Sequence, residues 1–157
     1  MPRRTIKTIA AVCLAAYLIA LYQVTLTSPG VGDSGSSLAN FTPLSSMAAS
    51  LSSVSPLSHR AFYFFGNFLM LAPLVVLIKV IWKKTPLWAL PVIGLGASLT
   101  IEVLQYNFLP GRAADIDDVI LNAFGTACAT LVVAALERRG LLPTGKRGAS
   151  ASPLQDE

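Results

Sequence analysis

Residues 98–125 hold several ionisable side chains inside and between two apolar stretches. They are Glu102, Arg112, Asp115, Asp117 and Asp118. A charge near a lipid core costs about 3 kcal/mol on insertion scales unless it finds a partner or water. Carboxylates that outnumber their basic partners in such a place attract a cation or a polar ligand. We therefore predict that the functional site lies in this part of the chain.

The spacing of the polar residues predicts two helix faces that meet. The first set is Ser98, Glu102 and Gln105, and the second is Asp118, Asn122 and Gly125. Within each set, intervals of four and three residues place the members on one face. A short Pro-Gly turn joins the two helices as antiparallel neighbours, so their faces lie at similar depth, and Asn67 of an earlier helix reaches the same level. The predicted ligand-binding residues are Asn67, Glu102, Gln105, Arg112, Asp115, Asp117, Asp118 and Asn122.

Structural roles account for part of this set. Asp115 fits the N-cap of the second helix, with Asp118 at the third helical position, where acidic residues suit the helix dipole. Glu102 and Arg112 can form a buried ion pair that fixes the turn. The three amides can form hydrogen bonds between helices. One cap and one ion pair do not use all the acidic residues, so a ligand-facing site is the favoured interpretation.

A catalytic role is the alternative. Glu102, Asp117 and Asp118 would hold Mg²⁺ or Mn²⁺ and act on a lipid-linked phosphate or sugar, with Arg112 stabilising the developing charge. No obvious nucleophile accompanies them, and His59, the only histidine, has no second His or Cys at a zinc-like spacing. We therefore expect a protein without metal or cofactor and lean towards a non-enzymatic function.

Four apolar stretches must position these residues. Hydrophobic residues make up 54% of the chain and charged residues 13%, with a mean hydropathy of +0.62, which indicates an integral membrane protein. The chain accommodates four transmembrane helices of about 20 residues each. The predicted spans are 6–26, 61–82, 86–106 and 116–136. We predict an all-α polytopic fold with a single membrane domain over residues 1–139 and a disordered tail over residues 140–157.

The segments between the spans, and single residues within them, predict further structural features. Residues 27–35 are rich in Ser, Gly and Pro, which predicts a flexible connection. Apolar residues recur every three to four positions over residues 38–57, which favours a short amphipathic helix in the membrane interface, with a loosely packed loop as the alternative. Pro73, in the middle of the second span, predicts a kink. Cys13 and Cys128 lack metal-like spacing and are interpreted as small core residues.

The distribution of Lys and Arg predicts the orientation. If the N-terminus is cytoplasmic, every Lys and Arg except Arg60 and Arg112 lies on the cytoplasmic side, as the positive-inside rule requires. We expect both termini in the cytoplasm, a multi-pass location in the cell membrane and the acidic turn on the extracytoplasmic side. The basic residues flank apolar stretches and form no single patch, so nucleic acid is not an expected partner.

Four motifs resemble those of the VanZ-like family. They are NFTP at residues 40–43, NFLMLAP at 67–73, SLTIEVLQ at 98–105 and GRAADIDDVILNAFG at 111–125. The resemblance covers residues 17–133, and the paired SxxxExxQ and GRxxDxDDxxxN blocks make it specific. It implies a small helical membrane protein. The family is named for a teicoplanin-resistance protein, and some members are associated with lower susceptibility to lipoglycopeptide antibiotics, but the resemblance implies no settled reaction.

Three functional hypotheses follow. The favoured one is an envelope protein whose outward-facing pocket binds a membrane-lipid headgroup or a lipid-linked cell-wall intermediate and modulates glycopeptide susceptibility. In it Arg112 contacts a phosphate or carboxylate, while Glu102 and Asp118 accept hydrogen bonds from hydroxyl or amino groups. The second is the metal-dependent membrane enzyme. The third is a structural bundle that packs against a partner protein through its helices.

Overall fold

A computed structural model describes residues 3–27, 39–52, 56–109 and 114–142 of the protein. Its helices are α1 (Arg3–Tyr22), α2 (Ser45–Ser52), α3 (Leu57–Met70), α4 (Ala72–Ile81), α5 (Ala89–Phe108) and α6 (Ile116–Arg138). The β-type pairing within these ranges is an isolated parallel bridge between Asn40 and Asp115. The described chain is therefore all-α, as the sequence predicts.

Four helical segments are long and apolar enough to cross a membrane. They are Arg4–Thr27, Leu57–Ile81, Ala89–Phe108 and Ile116–Arg138. The predicted spans match these segments to within a few residues, and the largest difference is the start of the second span, at Leu57 rather than Ala61. The prediction of a polytopic protein with four spans is confirmed.

The second span is interrupted at Leu71, between α3 and α4. Pro73 lies in the first turn of α4, where its missing N–H cannot continue the hydrogen bonds of α3. The hydroxyl of Tyr17 on α1 donates a 2.6 Å hydrogen bond to the carbonyl of Met70 and so supplies a donor at the interruption. Where the sequence predicts a kink, the structure therefore shows an interruption of the helix, just before the proline.

Helix α6 contacts α3, α4 and α5, while α1 packs against α4. Glycine permits two of these contacts. A Cβ atom on Gly125 of α6 would overlap the backbone carbonyl of Phe68 on α3, and one on Gly94 of α5 would overlap the side chain of Thr126 on α6. Small residues at such points let membrane helices approach closely. Helix α6 is thus fixed against both α3 and α5.

Much of the apolar surface of the helices points away from the bundle. Val132 is 57% exposed and Leu131 is 70% exposed, as suits helices surrounded by lipid. Cys13 is also exposed, and Cys128 is partly buried. The interpretation of Cys13 as a core residue is therefore wrong, because it lies on the outer face of α1.

A buried ion pair lies at the end of the bundle away from the α5–α6 connection. The Lys79 ammonium is 3.1 Å from the Glu137 carboxylate and donates a 2.7 Å hydrogen bond to the Thr85 carbonyl. The side chains of Lys79 and Glu137 are only 6% and 10% exposed. These contacts join α4, the connection to α5 and the last turn of α6.

The predicted amphipathic segment contains α2, which contacts α3 and α6. This helix is shorter than the predicted segment, and its position relative to a membrane surface stays a prediction. Most of the predicted flexible connection, Arg112 and most of the predicted tail lie outside the described residues. The orientation of the termini and the division into domain and tail also stay predictions.

Candidate functional site

The polar end of the bundle, defined as the end where α5 stops and α6 starts, contains the spaced polar residues. Ser98, Glu102 and Gln105 are 1%, 7% and 3% exposed, so all three point to the inside of the bundle from α5. Asn122 and Gly125 are buried on the facing side of α6. The prediction that the spacing places these residues on inward faces is confirmed.

Asp115 caps α6. Its Oδ1 accepts a 2.9 Å hydrogen bond from the backbone N–H of Asp117, which confirms the predicted N-cap. Glu102 Oε2 accepts a 2.8 Å hydrogen bond from the backbone N–H of Asp115. In a capping box, an acidic residue of the same helix makes this second contact. Here Glu102 of α5 makes it, which fixes the start of α6 against α5.

Asn40 ties the segment before α2 to the same point. Its backbone N–H donates to the Ala114 carbonyl at 2.8 Å, and its carbonyl accepts from the Ile116 N–H at 3.0 Å. Its side-chain amide donates a 3.1 Å hydrogen bond to Asp115 Oδ1. No helical spacing links Asn40 to the other polar residues, so the spacing argument misses it.

Asp117 is fully buried and holds the start of α2. Its Oδ1 accepts from the backbone N–H of Leu44, and its Oδ2 accepts from that of Met47 at 3.0 Å. Leu44 has a φ of +66°, in the left-handed region that costs a non-glycine residue about 1 kcal/mol or more. An anion at this position satisfies helix N-terminal donors and suits the dipole of α2. The contacts of Asp117 are thus with the backbone of this chain.

Two of the three predicted amide side chains form hydrogen bonds to a different helical element, and the third does not. Asn67 Nδ2 on α3 donates a 2.6 Å hydrogen bond to Asp118 Oδ1 on α6. Gln105 Nε2 donates at 3.0 Å to the carbonyl of Thr25, in the π-helical turn Gln23–Thr27 that ends the first span. Asn122 Nδ2 instead donates to the carbonyl of Asp118 on its own helix at 2.9 Å. The expected interhelical bonds are therefore made by the amide nitrogens of Asn67 and Gln105, and not by that of Asn122.

A cavity of about 650 Å³, called the central cavity below, lies between the end of the first span, α3, α5 and α6. Four of the predicted ligand-binding residues line it. They are Asn67, Glu102, Gln105 and Asp118. Its apolar wall includes Val24, Phe62 and Ile101. Apolar walls with a few polar groups from different elements are typical of small-molecule sites.

Helix α3 supplies lining residues that the sequence did not predict. His59 and Tyr63 line the central cavity together with Asn67, and the three are spaced by four residues on one face of α3. Gly66 also lines it, and a Cβ atom there would meet nothing within 4 Å. The spacing rule applied to α5 and α6, extended backwards from Asn67, finds both His59 and Tyr63. The histidine therefore lies at the site.

A second, more apolar space of about 290 Å³, called the side groove below, lies beside α5 and α6. Its wall includes Phe41, Leu99, Val103 and Tyr106. Glu102 lines both the side groove and the central cavity, so this residue lies between the two spaces.

The remaining predicted residues are placed differently. Asp115, Asp117 and Asn122 do not line the central cavity. Arg112 lies outside the described residues, so its ion pair with Glu102 and its contact with an anion stay predictions. Within the described ranges, no three His, Cys, Asp or Glu side chains are grouped so that they could hold a metal ion.

A model of the VanZ/LLP1 family matches residues 8–137 of the chain. The matched region contains all four candidate spans except their outermost residues, and every residue that lines the central cavity. No curated protein and no solved structure matches the chain.

Proposed function

Because the chain belongs to the VanZ/LLP1 family, we propose that it binds a lipid headgroup or a lipid-linked cell-wall intermediate in the central cavity and thereby modulates susceptibility to teicoplanin-like glycopeptides. The observation that carries the binding role is the convergence of polar side chains from α3, α5 and α6 on one cavity. The antibiotic role is supported by the teicoplanin-resistance protein for which the VanZ family is named.

The size and lining of the cavity support a ligand of modest size. Small-molecule sites usually measure roughly 300–1,000 Å³, and the central cavity, at about 650 Å³, lies within that range. Ionisable residues inside membrane bundles are costly and commonly mark a substrate or ion site. Glu102 and Asp118 are such residues, and they reach the cavity from two different spans.

The proposed roles follow from the chemistry of each side chain. Glu102 and Asp118 accept hydrogen bonds from hydroxyl or amino groups of the ligand, while Asn67 and Gln105 hold the cavity walls in place through the contacts described above. Arg112 contacts a phosphate or carboxylate of the same ligand. With the predicted orientation, the cavity opens at the outer leaflet, where envelope intermediates and glycopeptides meet.

A structural bundle is the second candidate, and a specific observation favours it for some of the residues. Asp115, Asp117 and Asn40 join α2, α5 and α6 through hydrogen bonds in which the backbone takes part. Substitution of these residues is therefore expected to affect folding. The test of a binding role must use residues that line the cavity.

The experiment separates abundance from function. Asn67→Ala, Gln105→Ala and Asp118→Asn are expressed singly, and the amount of protein in the membrane and the teicoplanin susceptibility of the cells are measured side by side. We expect abundance close to that of the unmodified protein and a loss of protection. Thr100→Ala is the control, because this exposed hydroxyl bonds within its own helix, at 2.8 Å to the Gly96 carbonyl, and lines neither space. Equal losses of abundance and protection would favour the structural bundle, and full protection in all variants would contradict the proposal.

A further inference from the structure

We propose that the ligand enters the central cavity from the side, between the first span and α3. It is a membrane lipid whose hydrocarbon chain stays in this opening while its polar group lies in the cavity. This inference rests on the proposed function and adds to it the route of entry and the requirement for a chain. The opening, called the lateral opening below, has Val24 on one edge and Phe62 and Gly66 on the other.

Exposed residues in the cavity wall locate the lateral opening. Val24, Phe62 and Gly66 line the central cavity, yet Val24 is 59% exposed, Phe62 is 79% exposed and Gly66 is exposed as well. A residue that is exposed and also part of a cavity wall lies where the cavity meets the outside. Tyr63 and Asn67 line the cavity from the inner side of α3 and are partly buried. The cavity wall therefore continues around α3 from its inner to its outer side.

The contacts of the first span explain why the lateral opening exists. The hydroxyl of Tyr17 bonds to the carbonyl of Met70, so the first span meets α3 where that helix ends. Nearer the polar end, Gln105 of α5 donates to the carbonyl of Thr25, and the turn Gln23–Thr27 packs against α5. Helix α3 packs against α6 instead. The first span and α3 are thus held by different helices on the two sides of the cavity.

The depth of the lateral opening determines which molecules enter through it. Gly66 lies roughly 14 Å along α3 from Leu57, where the candidate span begins. The hydrocarbon core of a bilayer is about 30 Å thick, so this edge of the opening faces acyl chains. A polar molecule without a chain would have to enter hydrocarbon to reach it, which is costly. A membrane lipid already has its chain at that depth.

Gly66 keeps the lateral opening wide. Gly94 and Gly125 each lie against a neighbouring helix, but a Cβ atom on Gly66 would meet nothing within 4 Å. No close contact among the described residues therefore requires glycine at this position. A larger residue there would extend into the space through which the chain passes.

The test closes the lateral opening in the folded protein. The full-length chain carries Val24→Cys and Phe62→Cys in a background of Cys13→Ala and Cys128→Ala, and it is purified in detergent and freed of lipid. Reducible bis-thiosulfonate cross-linkers of increasing length then bridge the two edges. Mass spectrometry of the intact protein identifies the cross-linker that gives a complete bridge. The matched control carries a monofunctional thiosulfonate of the same size on each of the two introduced cysteines.

Native mass spectrometry then measures the loading of lipid. The probes are dioleoyl phosphatidylglycerol, dioleoyl phosphatidylethanolamine and undecaprenyl phosphate, which distinguish a phospholipid from a polyprenyl-linked lipid. Glycerophosphate is the probe without a chain. We expect the control to retain one or more of the chain-bearing lipids and no glycerophosphate. We expect the bridge to abolish loading and reduction of the bridge to restore it.

Two glycine variants separate entry from binding. Gly66→Leu adds a side chain to a residue that lines the cavity, whereas Gly96→Leu adds one to α5 away from it, and neither added Cβ meets an atom within 4 Å. We expect Gly66→Leu to lose loading and Gly96→Leu to keep it.

The outcomes distinguish this inference from the proposed function. Equal loading of the bridged protein and the control overturns entry from the side, and a loss in Gly66→Leu alone then leaves binding in the cavity in place. Displacement of the lipid by glycerophosphate at equal concentration overturns the requirement for a chain. Failure of every cross-linker to bridge the two cysteines contradicts their placement on the edges of one opening. Retention of none of the lipids by the control overturns both proposals.

Discussion

At the scale of single residues, the carboxylates at the polar end divide into two groups. Asp115 and Asp117 accept hydrogen bonds from backbone N–H groups at the starts of α6 and α2. Asp118 accepts one from the side-chain amide of Asn67 on α3 and lines the central cavity. Glu102 belongs to both groups, because it caps α6 and also lines the cavity. Acidic composition alone does not separate these roles, since the partners of Asp117 lie about 70 residues earlier in the chain.

The first prediction concerns Asp117. Asp117→Ala leaves the N–H groups of Leu44 and Met47 without their acceptor and should lower the free energy of unfolding by about 1–2 kcal/mol. Thermal unfolding of the purified protein in detergent measures this loss. Ser52→Ala is the control, because the Ser52 hydroxyl is exposed and bonds only within α2. A loss no larger than that of Ser52→Ala would show that Asp117 does not hold α2.

At the scale of the elements, the sequence predicts the spans well and their mutual contacts poorly. Long apolar stretches identify the four spans, and Pro73 predicts the interruption of the second. The positive-inside rule treats Lys79 as one of the basic residues that end a span, but Lys79 is buried against Glu137. A pattern along one helix cannot reveal a partner on another helix, so the sequence does not predict this ion pair.

The second prediction concerns the contact of α6 with α3. Gly125→Ala places a methyl group against the Phe68 carbonyl, so the two backbones must separate, and overpacking of this kind costs about 1–3 kcal/mol. Gly96→Ala, which meets no neighbour within 4 Å, should be neutral or slightly stabilising. Unfolding of both variants in detergent provides the comparison. Equal stabilities would contradict the close approach of the two helices.

The third prediction concerns the contact of α4 with α6. Lys79→Met leaves the buried Glu137 carboxylate without its cation and should cost about 3–5 kcal/mol of stability. Adding Glu137→Gln in the same chain removes the unpaired charge and should recover part of that loss. A double-mutant cycle on unfolding free energies measures the coupling. If the two losses simply add, Lys79 and Glu137 do not form a coupled pair.

At the scale of the whole molecule, the sequence locates the site but not its shape. The helical spacing on α5 and α6 predicts the inward faces, and Asn67, Glu102, Gln105 and Asp118 do converge on one cavity. Thr25, His59 and Tyr63 also line this cavity. Their place in its wall depends on how the first span and α3 pack against the other helices, which a pattern along one helix does not predict. Asp117 and Asn122 lie nearby, yet local geometry turns them away from the cavity.

The fourth prediction concerns orientation in the membrane. The Lys and Arg distribution predicts that the C-terminus is cytoplasmic, which places the polar end on the opposite side. Fusion of green fluorescent protein to the C-terminus should therefore give fluorescent cells, whereas an alkaline phosphatase fusion at the same place should be inactive. The reverse pattern would place the central cavity at the cytoplasmic surface and contradict its proposed access to envelope intermediates.

The central claim is that the cavity binds a ligand and is not an incidental gap between helices. It is tested most directly by teicoplanin susceptibility of cells that carry Gly66→Leu or Gly96→Leu at matched membrane abundance. The account predicts that Gly66→Leu, which fills the cavity, loses protection, while Gly96→Leu, which leaves the cavity open, retains it. Full protection by Gly66→Leu would contradict it.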